Sequence, residues 1–414
     1  MSSRVRRPVR LVIIALLVLL SSACSLSPKK TLEVDARVSE RRETALTCAP
    51  GRSDNCAIES PLRELGISAG RDGRHRLALL EYGEQALALR LHLVRAARDR
   101  IELQNFILRR DDSGELILNE LLAAARRGVQ VRLLLDQMFS FSDARYLVQL
   151  AMAHVNLEIR FYNPSFYKAE MAKHDWISAV ACCFRRFNQR MHNKLMVMDD
   201  LVGVVGGRNI ADRYFDYDTN YDFKDRDVAV FGPSVGEMRE SFEWFWDHPK
   251  TVPVQHLRDV AAELLKNPLA DLEPYEPPPR LQPLLRSIED AALVHATFVA
   301  PAFEVERLEY FSDRPRKQTS AEEAAQEDIT QVLYDLLLSA RESVLIQSPY
   351  MVLSKRAQDL FRELRERHPE IELVYSTNSL ASTDADTVYG HTHKHKQRYV
   401  GRLGFHLYEL RPYP

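Results

Sequence analysis

A strong net charge is the first thing this chain lacks. Its 56 lysines and arginines stand against 58 aspartates and glutamates in 414 residues, a formal net charge of -2. A chain so balanced has no long-range pull on a polyanion, so any anion it holds must be gripped by a local cluster. No stripe of basic residues interleaved with aromatics stands out in the sequence either, and nucleic acid is not expected as a partner. Cysteine is scarce, and none of the five has the Cys/His spacing of a zinc site. Nothing in the sequence therefore requires a metal or a cofactor. The N-terminal apolar run, Leu11 to Leu20, is too short to span a bilayer comfortably as a permanent helix. What is present, 45% hydrophobic and 28% charged residues, is the composition of a soluble globular protein with two domain-sized units.

Arg4, Arg6, Arg7 and Arg10 precede that run, and Ser21-Ser22-Ala23-Cys24 follows it. A basic head, a short apolar core and small residues predict a secretory signal peptide over residues 1–24 and hence an exported, periplasmic, membrane-associated chain. Cys24 stands where a lipoprotein signal places its lipidated cysteine, although Ser21 occupies a position usually held by Leu. Cleavage by the ordinary signal peptidase is the alternative. Residues 25–75 are polar and largely aperiodic, which predicts a tether. Within them Cys48 and Cys56 bracket a polar loop and could pair in an oxidising compartment. The adjacent Cys182 and Cys183 are expected to fill core space as thiols.

From Gly83 onward helices and strands alternate. Apolar spacing predicts a helix over Ala86–Arg100, then strand Ile101–Leu108, helix Leu116–Arg127, strand Val129–Leu135, helix Tyr146–His154 and strand Leu157–Tyr162. The rhythm returns as helix Ile329–Arg341, strand Ser343–Gln347, helix Ala357–Arg367, strand Ile371–Tyr375, helix His395–Arg402 and strand Phe405–Leu410. Leu93–Ile101 matches Leu336–Val344 in pattern, and Leu157–Pro164 answers Phe405–Pro412, so the chain reads as an internal duplication. The expected fold class is α/β: a duplicated α/β/α sandwich on a mixed, largely parallel sheet, its second repeat incomplete. The expected units are residues 76–250 and 327–414, joined by a proline-rich connection over 251–326.

Chemistry concentrates at His192-Asn193-Lys194-Leu195-Met196-Val197-Met198-Asp199. Strand alternation would put His192 and Lys194 on one face with Met196 and Met198, turn Leu195 and Val197 to the other, and bury the strand on both sides. A turn at Asp199-Asp200 leads to a second strand, Leu201 to Val205, which ends at Gly206-Gly207-Arg208-Asn209. There, two residues without Cβ would let a ligand approach the backbone while Arg208 and Asn209 present donors.

The order His-x-Lys, Asp, Gly-Gly-x-Asn resembles the signature of the phospholipase D superfamily. Phe223-Lys224-Asp225, Val228-Ala229-Val230 and Gly232-Pro233 look like that family's next block, and from about Ala86 onward the chain is most similar to its bacterial cardiolipin synthase-like branch. The resemblance implies a phospholipase D-like sandwich, no cofactor, a phospholipid substrate met at a membrane surface, and a histidine that attacks phosphorus to form a phosphohistidine. His192 would serve as one of two such histidines. Lys194 and Asn209 would hold non-bridging oxygens, whose charge grows along the reaction. Asp225, with Asp227 as runner-up, would fix the imidazole tautomer. Asp199 is expected to order its turn. Ser348-Pro349-Tyr350 and Thr377–Ala381 are similar to the synthase branch, which places Ser348 and Tyr350 among the substrate-binding candidates and favours transfer between phosphatidyl groups over hydrolysis.

In the family chemistry a second motif's histidine protonates the departing alcohol. After Pro412, where the repeat would place that motif, two residues follow. The cluster His391-Thr392-His393-Lys394-His395-Lys396 does not replace it, because none of its histidines has Lys two positions on. It is expected to be a solvated helix start, with contact to anionic headgroups as the lesser reading. Three expectations follow, in this order: a phosphatidyl-transferring enzyme whose given sequence stops short of its second half-site, a half-site enzyme completed by homodimerisation, and a non-catalytic lipid- or phosphate-binding protein.

Overall fold

Neighbouring strands joined through a helix can run parallel, whereas strands joined by a tight turn must run antiparallel. The computed structural model describes residues 25–49, 52, 54–266, 271–315 and 329–412, and divides into two units on either side of residue 316. The expected signal peptide and Cys24 lie outside the described residues. No helix among the described residues is long and apolar enough to cross a membrane.

The first unit carries strands β1 (His75–Leu80), β2 (Arg100–Asn105), β3 (Gln130–Asp136), β4 (Leu157–Tyr162), β5 (Leu195–Met198), β6 (Val202–Gly206), β7 (Asp227–Phe231), β8 (Thr251–Pro253) and β9 (Phe303–Val305). They form one sheet in the order β8-β4-β3-β2-β5-β6-β7-β1-β9. Its main helices are α1 (Pro28–Arg41), α2 (Pro61–Asp72), α3 (Gly83–Ala96), α4 (Asp112–Arg127), α5 (Ala144–Ala153), α6 (Lys173–Phe187), α7 (Ser234–Trp246) and α8 (Arg258–Leu264). The architecture is α/β with a mixed sheet, as expected. Its parallel part is narrower than expected and is confined to β2-β3-β4, whose strands α4 and α5 connect. β5 and β6 meet in a tight turn over residues 199–201, with Asp199 (φ 53°) and Asp200 (φ 56°) both left-handed and the Leu201 N–H donating to the Met198 carbonyl at 2.9 Å, which makes the pair antiparallel.

The sheet is covered on both faces. Met196 and Met198 face a large core built from α3, α4 and α5, while Leu195 and Val197 face Val235, Met238, Phe242 and Phe245 of α7. All four β5 side chains are buried, as their alternation predicts. Burying each of them stabilises the fold by roughly 1.5–3 kcal/mol, which holds the end of this strand rigidly beneath His192.

Several expectations need correction. Residues 25–75 are no tether: Val34 and Val38, four apart on α1, and Leu62 and Ala69 of α2 are buried in the first core. Their short apolar spacing was masked by the charged residues around it. The connection over 251–326 likewise packs on the first unit through β8, α8, Leu281, Leu284, Ile288 and Val294. The stretch between Pro164 and His192 carries α6. Cys182 and Cys183 are bonded to each other and exposed on α6 rather than filling the core. The backbone leaves helical dihedrals at Cys183, which lets neighbouring sulfurs meet. Cys48 and Cys56 are joined, as their bracketing of the polar loop suggested.

The second unit contains α9 (Ile329–Ser339), β10 (Ser343–Gln347), α10 (Lys355–Arg367), β11 (Glu372–Asn378), α11 (Asp386–Gly401) and β12 (Phe405–Leu410). Its three strands are parallel in the order β10-β11-β12, the order and sense that β2-β3-β4 take in the first unit. Leu360, Phe361, Leu364, Leu373, Tyr375, Tyr399 and Phe405 form its core. α11 begins at Asp386, so the histidine cluster lies inside the helix and not at its start.

Candidate active site

The ends of β2, β3 and β6 and the beginnings of β5 and β7 all fall at one end of the first sheet. Ligands of open α/β sheets bind at the carboxyl ends of parallel strands, and this is where His192 lies. His192 and Lys194 do not belong to β5, which starts at Leu195; they form the irregular entry to it. Asp136 at the end of β3, one strand beyond β2, accepts the Met191 N–H and anchors that entry to the parallel part of the sheet.

The two side chains nevertheless converge. The Lys194 ammonium lies 3.1 Å from Nδ1 and 3.0 Å from Nε2 of His192 and donates to the His192 carbonyl at 2.8 Å. A neutral imidazole has one acceptor nitrogen, so the ammonium donates to whichever nitrogen is unprotonated. His192 is exposed as a residue, but its ring packs on Phe106, with centroids 4.7 Å apart. Burial of the ring's inner side, and after it the Lys194 charge, pushes the imidazole down to about 4. Lys194 is only 6% exposed. Its burial lowers the ammonium to about 8, against the pull of Asp225 and then Asp227. At neutral pH the pair is therefore a neutral imidazole beside a cation.

Asn209 is buried, and its Oδ1 accepts the Ile107 N–H at 3.1 Å. That bond orients the amide and turns Nδ2 away as a donor. Asp225 differs from its expected role. Among the described residues no hydrogen bond joins it to His192, and its partners are charges: Arg208, which opposes the upward push of burial on its carboxyl, and Lys194. Asp225 thus bears electrostatically on the ammonium and makes no hydrogen bond to the imidazole. Asp227 is fully buried and accepts from Arg90 Nη2 at 2.9 Å and from the Arg208 N–H at 3.2 Å.

Arg208 is not a ligand donor. Its guanidinium is 2% exposed and donates to the carbonyls of Leu80 (2.9 Å), Glu81 (2.8 Å) and Tyr214 (3.2 Å), so its donors are spent inside the fold. The glycine pair also has a different explanation from the expected one. A Cβ on Gly206 would stand 1.9 Å from Asp227 Oδ1, and one on Gly207 would stand 2.3 Å from Asp225 Oδ1. The missing side chains admit the carboxylates of Asp227, which opens the adjoining strand, and of Asp225 just before it. Asp199 accepts the amide N–H groups of Arg98, Asp99 and Arg100, each at 2.9 Å, and so ties the β5–β6 turn to the start of β2.

Ser348 and Tyr350 belong to the second unit, in the turn after β10. There the Ser348 hydroxyl donates to the Tyr350 carbonyl and the Tyr350 hydroxyl to Asp384. Along α11 the rings of His391 and His395 and of Tyr389 and His393 face each other. No group of three metal-ligating side chains forms among the described residues.

Sequence reasoning missed Phe106 and Asp136. Phe106 follows β2 and touches the His192 ring, the Lys194 ammonium (5.3 Å) and Phe139 (5.2 Å). Both close strands of the parallel set, which is the one local signal that could have pointed to them. His248-Pro249-Lys250 also spells His-x-Lys. There His248 is buried, the Lys250 ammonium donates to Gln189, and the Lys250 carbonyl accepts the Asn163 N–H at 2.8 Å. The triplet alone is thus a brace, and the surrounding blocks distinguish His192. A cavity of about 360 Å³, lined by Tyr82, Asp216, Leu284 and Phe298 among others, includes neither His192 nor Lys194 in its wall.

Residues 91–246 match the family described as "Cardiolipin synthase, PLD-like domain". The chain is 32% identical over 339 residues to an uncharacterized protein of Helicobacter pylori strain ATCC 700392 / 26695, covering 80% of this chain and 65% of that one. It thus spans about two thirds of that relative's length. It is 29% identical over 350 residues to cardiolipin synthase C of Escherichia coli K12, covering 84% of this chain and 72% of that one. Among solved structures it is similar to phosphatidylserine synthase of Haemophilus influenzae Rd KW20, with a TM-score of 0.49 and 12% identity, covering 84% of this chain and 79% of that one. The family match spans β2 through β7 together with the His192 and Gly-Gly-x-Asn blocks, and the chain belongs to the phospholipase D superfamily, with residues 91–246 as its cardiolipin synthase-type phospholipase D-like domain.

Proposed function

We propose that this chain carries out phospholipase D-type phosphodiester chemistry on phospholipids, with His192 as the nucleophile of a phosphatidyl transfer of the kind that makes cardiolipin. One observation carries the reading: Lys194 stands 3.0 Å from an imidazole held down to about 4. A ring neutral at physiological pH has a lone pair to give to phosphorus, whereas the acid partner of such a reaction must start protonated.

A phosphate oxygen arriving at the site takes over the Lys194 ammonium and frees the ring nitrogen that it covered. The nitrogen attacks phosphorus, the N–P bond forms, and the ester P–O bond breaks to release an alcohol that takes a proton from a second acid. Lys194 and the Asn209 amide hold the non-bridging oxygens as charge accumulates there. A lipid alcohol then attacks the phosphohistidine, giving its proton to the second group that the first step left deprotonated; the N–P bond breaks and the new diester leaves. A further copy of this chain or additional sequence would supply the acid, and the dependence of rate on protein concentration separates the two.

The test is rapid acid-free quenching of the purified chain with radiolabelled phosphatidylglycerol, followed by peptide mapping. An acid-labile phosphoryl adduct on His192 is expected, and it should be absent from His192→Ala together with all turnover. Turnover that survives His192→Ala overturns the proposal.

A further inference from the structure

Helix α6 turns apolar side chains towards water. Ile177 is 72% exposed, Val180 50% and Phe184 57%, while Asp175 and Ala179 on the opposite side are buried. With Ala181, also exposed, Ile177 and Val180 are spaced i, i+3, i+4 on one stripe of the helix, and Phe184 is exposed just past the break in helical backbone at Cys183. In a surface helix that stripe belongs against the core. Here Asp175 and Ala179 occupy the buried side, and the apolar stripe faces outward.

The charge around it is mostly basic. Residues 168–190 contain five basic residues (Lys168, Lys173, Arg185, Arg186, Arg190) and two acidic ones (Glu170, Asp175), in a chain whose net charge is -2. Of the basic residues, Lys173 and Arg186 are exposed. An outward apolar stripe flanked by cations is the arrangement of helices that lie in the headgroup region of anionic membranes.

The helix is also tied to the catalytic end of the sheet. The Asn163 amide, just past β4, donates to the carbonyls of Arg186 and Gln189 at 2.7 and 2.8 Å, and Arg190 donates to Asp136. His192 follows two residues later.

We infer that α6 is a membrane-docking helix: Ile177, Val180, Ala181 and Phe184 enter the acyl boundary of an anionic bilayer, and the docking presents the His192 site to headgroups. The lipid-directed reading of that site motivates the choice of partner, but docking needs no turnover, so each can fail alone.

Trp176, on the same helix, reports insertion at this element, so binding through the N-terminal apolar run does not confound it. Vesicles of phosphatidylglycerol and phosphatidylethanolamine with brominated acyl chains are added to the full chain, and the Trp176 signal is taken as the difference from Trp176→Phe. Quenching of Trp176 is expected, and the Ile177→Glu/Phe184→Glu double variant should weaken the vesicle partition read this way by about tenfold or more. Hydrolysis of a soluble phosphodiester by the double variant should stay unchanged. The inference falls if Trp176 is unquenched while the chain sediments with vesicles, or if the double variant is quenched like the parent. It falls equally if the stripe joins two protein copies, so that the double variant changes only the sedimentation coefficient. The wild-type measurement decides the matter even if the double variant does not fold.

Discussion

The Asp136 carboxylate accepts the Met191 amide N–H at 3.0 Å, so the residue before His192 is bonded to the end of a parallel strand. The same carboxylate takes the Arg190 guanidinium at 3.3 Å and the Met138 N–H at 2.9 Å. Fully buried among them, it is raised from the usual carboxylate range by burial, against the pull of Arg190. It sets the height of the His192 loop without touching the reacting atoms.

Asp136→Asn should therefore lower kcat by about 10- to 100-fold, since an ångström of misplacement costs about that much. KM for the phospholipid should change less. A variant that loses thermal stability while keeping its kcat would show that Asp136 braces the fold and nothing more.

The pH profile should be flat across neutrality. His192 must be neutral to attack, and its imidazole is pushed down to about 4, so kcat/KM falls as pH drops through about 4. Lys194 must be charged to hold an oxygen, and its ammonium is lowered to about 8, so kcat/KM also falls as pH rises through about 8. Initial rates on a soluble phosphodiester from pH 3 to 10 check both limbs. An acid limb near the ordinary histidine value would remove the reason for calling His192 the nucleophile.

Lys194→Met should reduce kcat about 10²- to 10³-fold, the usual cost of one preorganised donor on a developing oxyanion, and should weaken inorganic phosphate binding as well. It also removes the cation beside His192, so the acid limb should move up in the residual activity. An unmoved acid limb would mean that the ammonium does not set the imidazole.

Asp225→Asn should move the alkaline limb to lower pH, because Asp225 is the first of the charges that keep the Lys194 ammonium protonated. A role in fixing the imidazole tautomer would instead lower kcat with both limbs in place. The two readings thus separate on a pH profile, whatever the size of the rate loss.

Arg208→Ala should act on stability. Its guanidinium holds three backbone carbonyls and lies 3.6 Å from the buried Asp227. Removing one side of a buried charge pair costs about 3–5 kcal/mol, which urea unfolding monitored by circular dichroism would measure. A variant of unchanged stability with a raised KM would return Arg208 to the substrate.

Much of the frame was legible because it rests on neighbours in sequence. Period-two alternation assigned Leu195 and Val197 to one face and Met196 and Met198 to the other, and both placements hold. Strands Leu157–Tyr162, Ser343–Gln347 and Phe405–Leu410 stand where their apolar runs put them. Paired aspartates at 199 and 200 marked a turn, since Asp tolerates the left-handed backbone that the hairpin requires. α1 and α2 escaped notice because two or three buried positions per helix are a faint period among so many charges.

The amino-acid sequence by itself determined which segments are strands and helices and that His192 and Lys194 stand two apart before a buried strand, because those properties depend on residues a few positions away. Only the tertiary structure decided what each polar group does. Arg208 looked like a phosphate donor until Leu80, Glu81 and Tyr214 claimed its hydrogens, and Gly206 and Gly207 looked like a ligand cradle until Asp227 and Asp225 filled the space. A side chain's donors and a glycine's missing Cβ are committed by whatever strand folds against them, and that partner lies from 6 to 128 residues away in the chain.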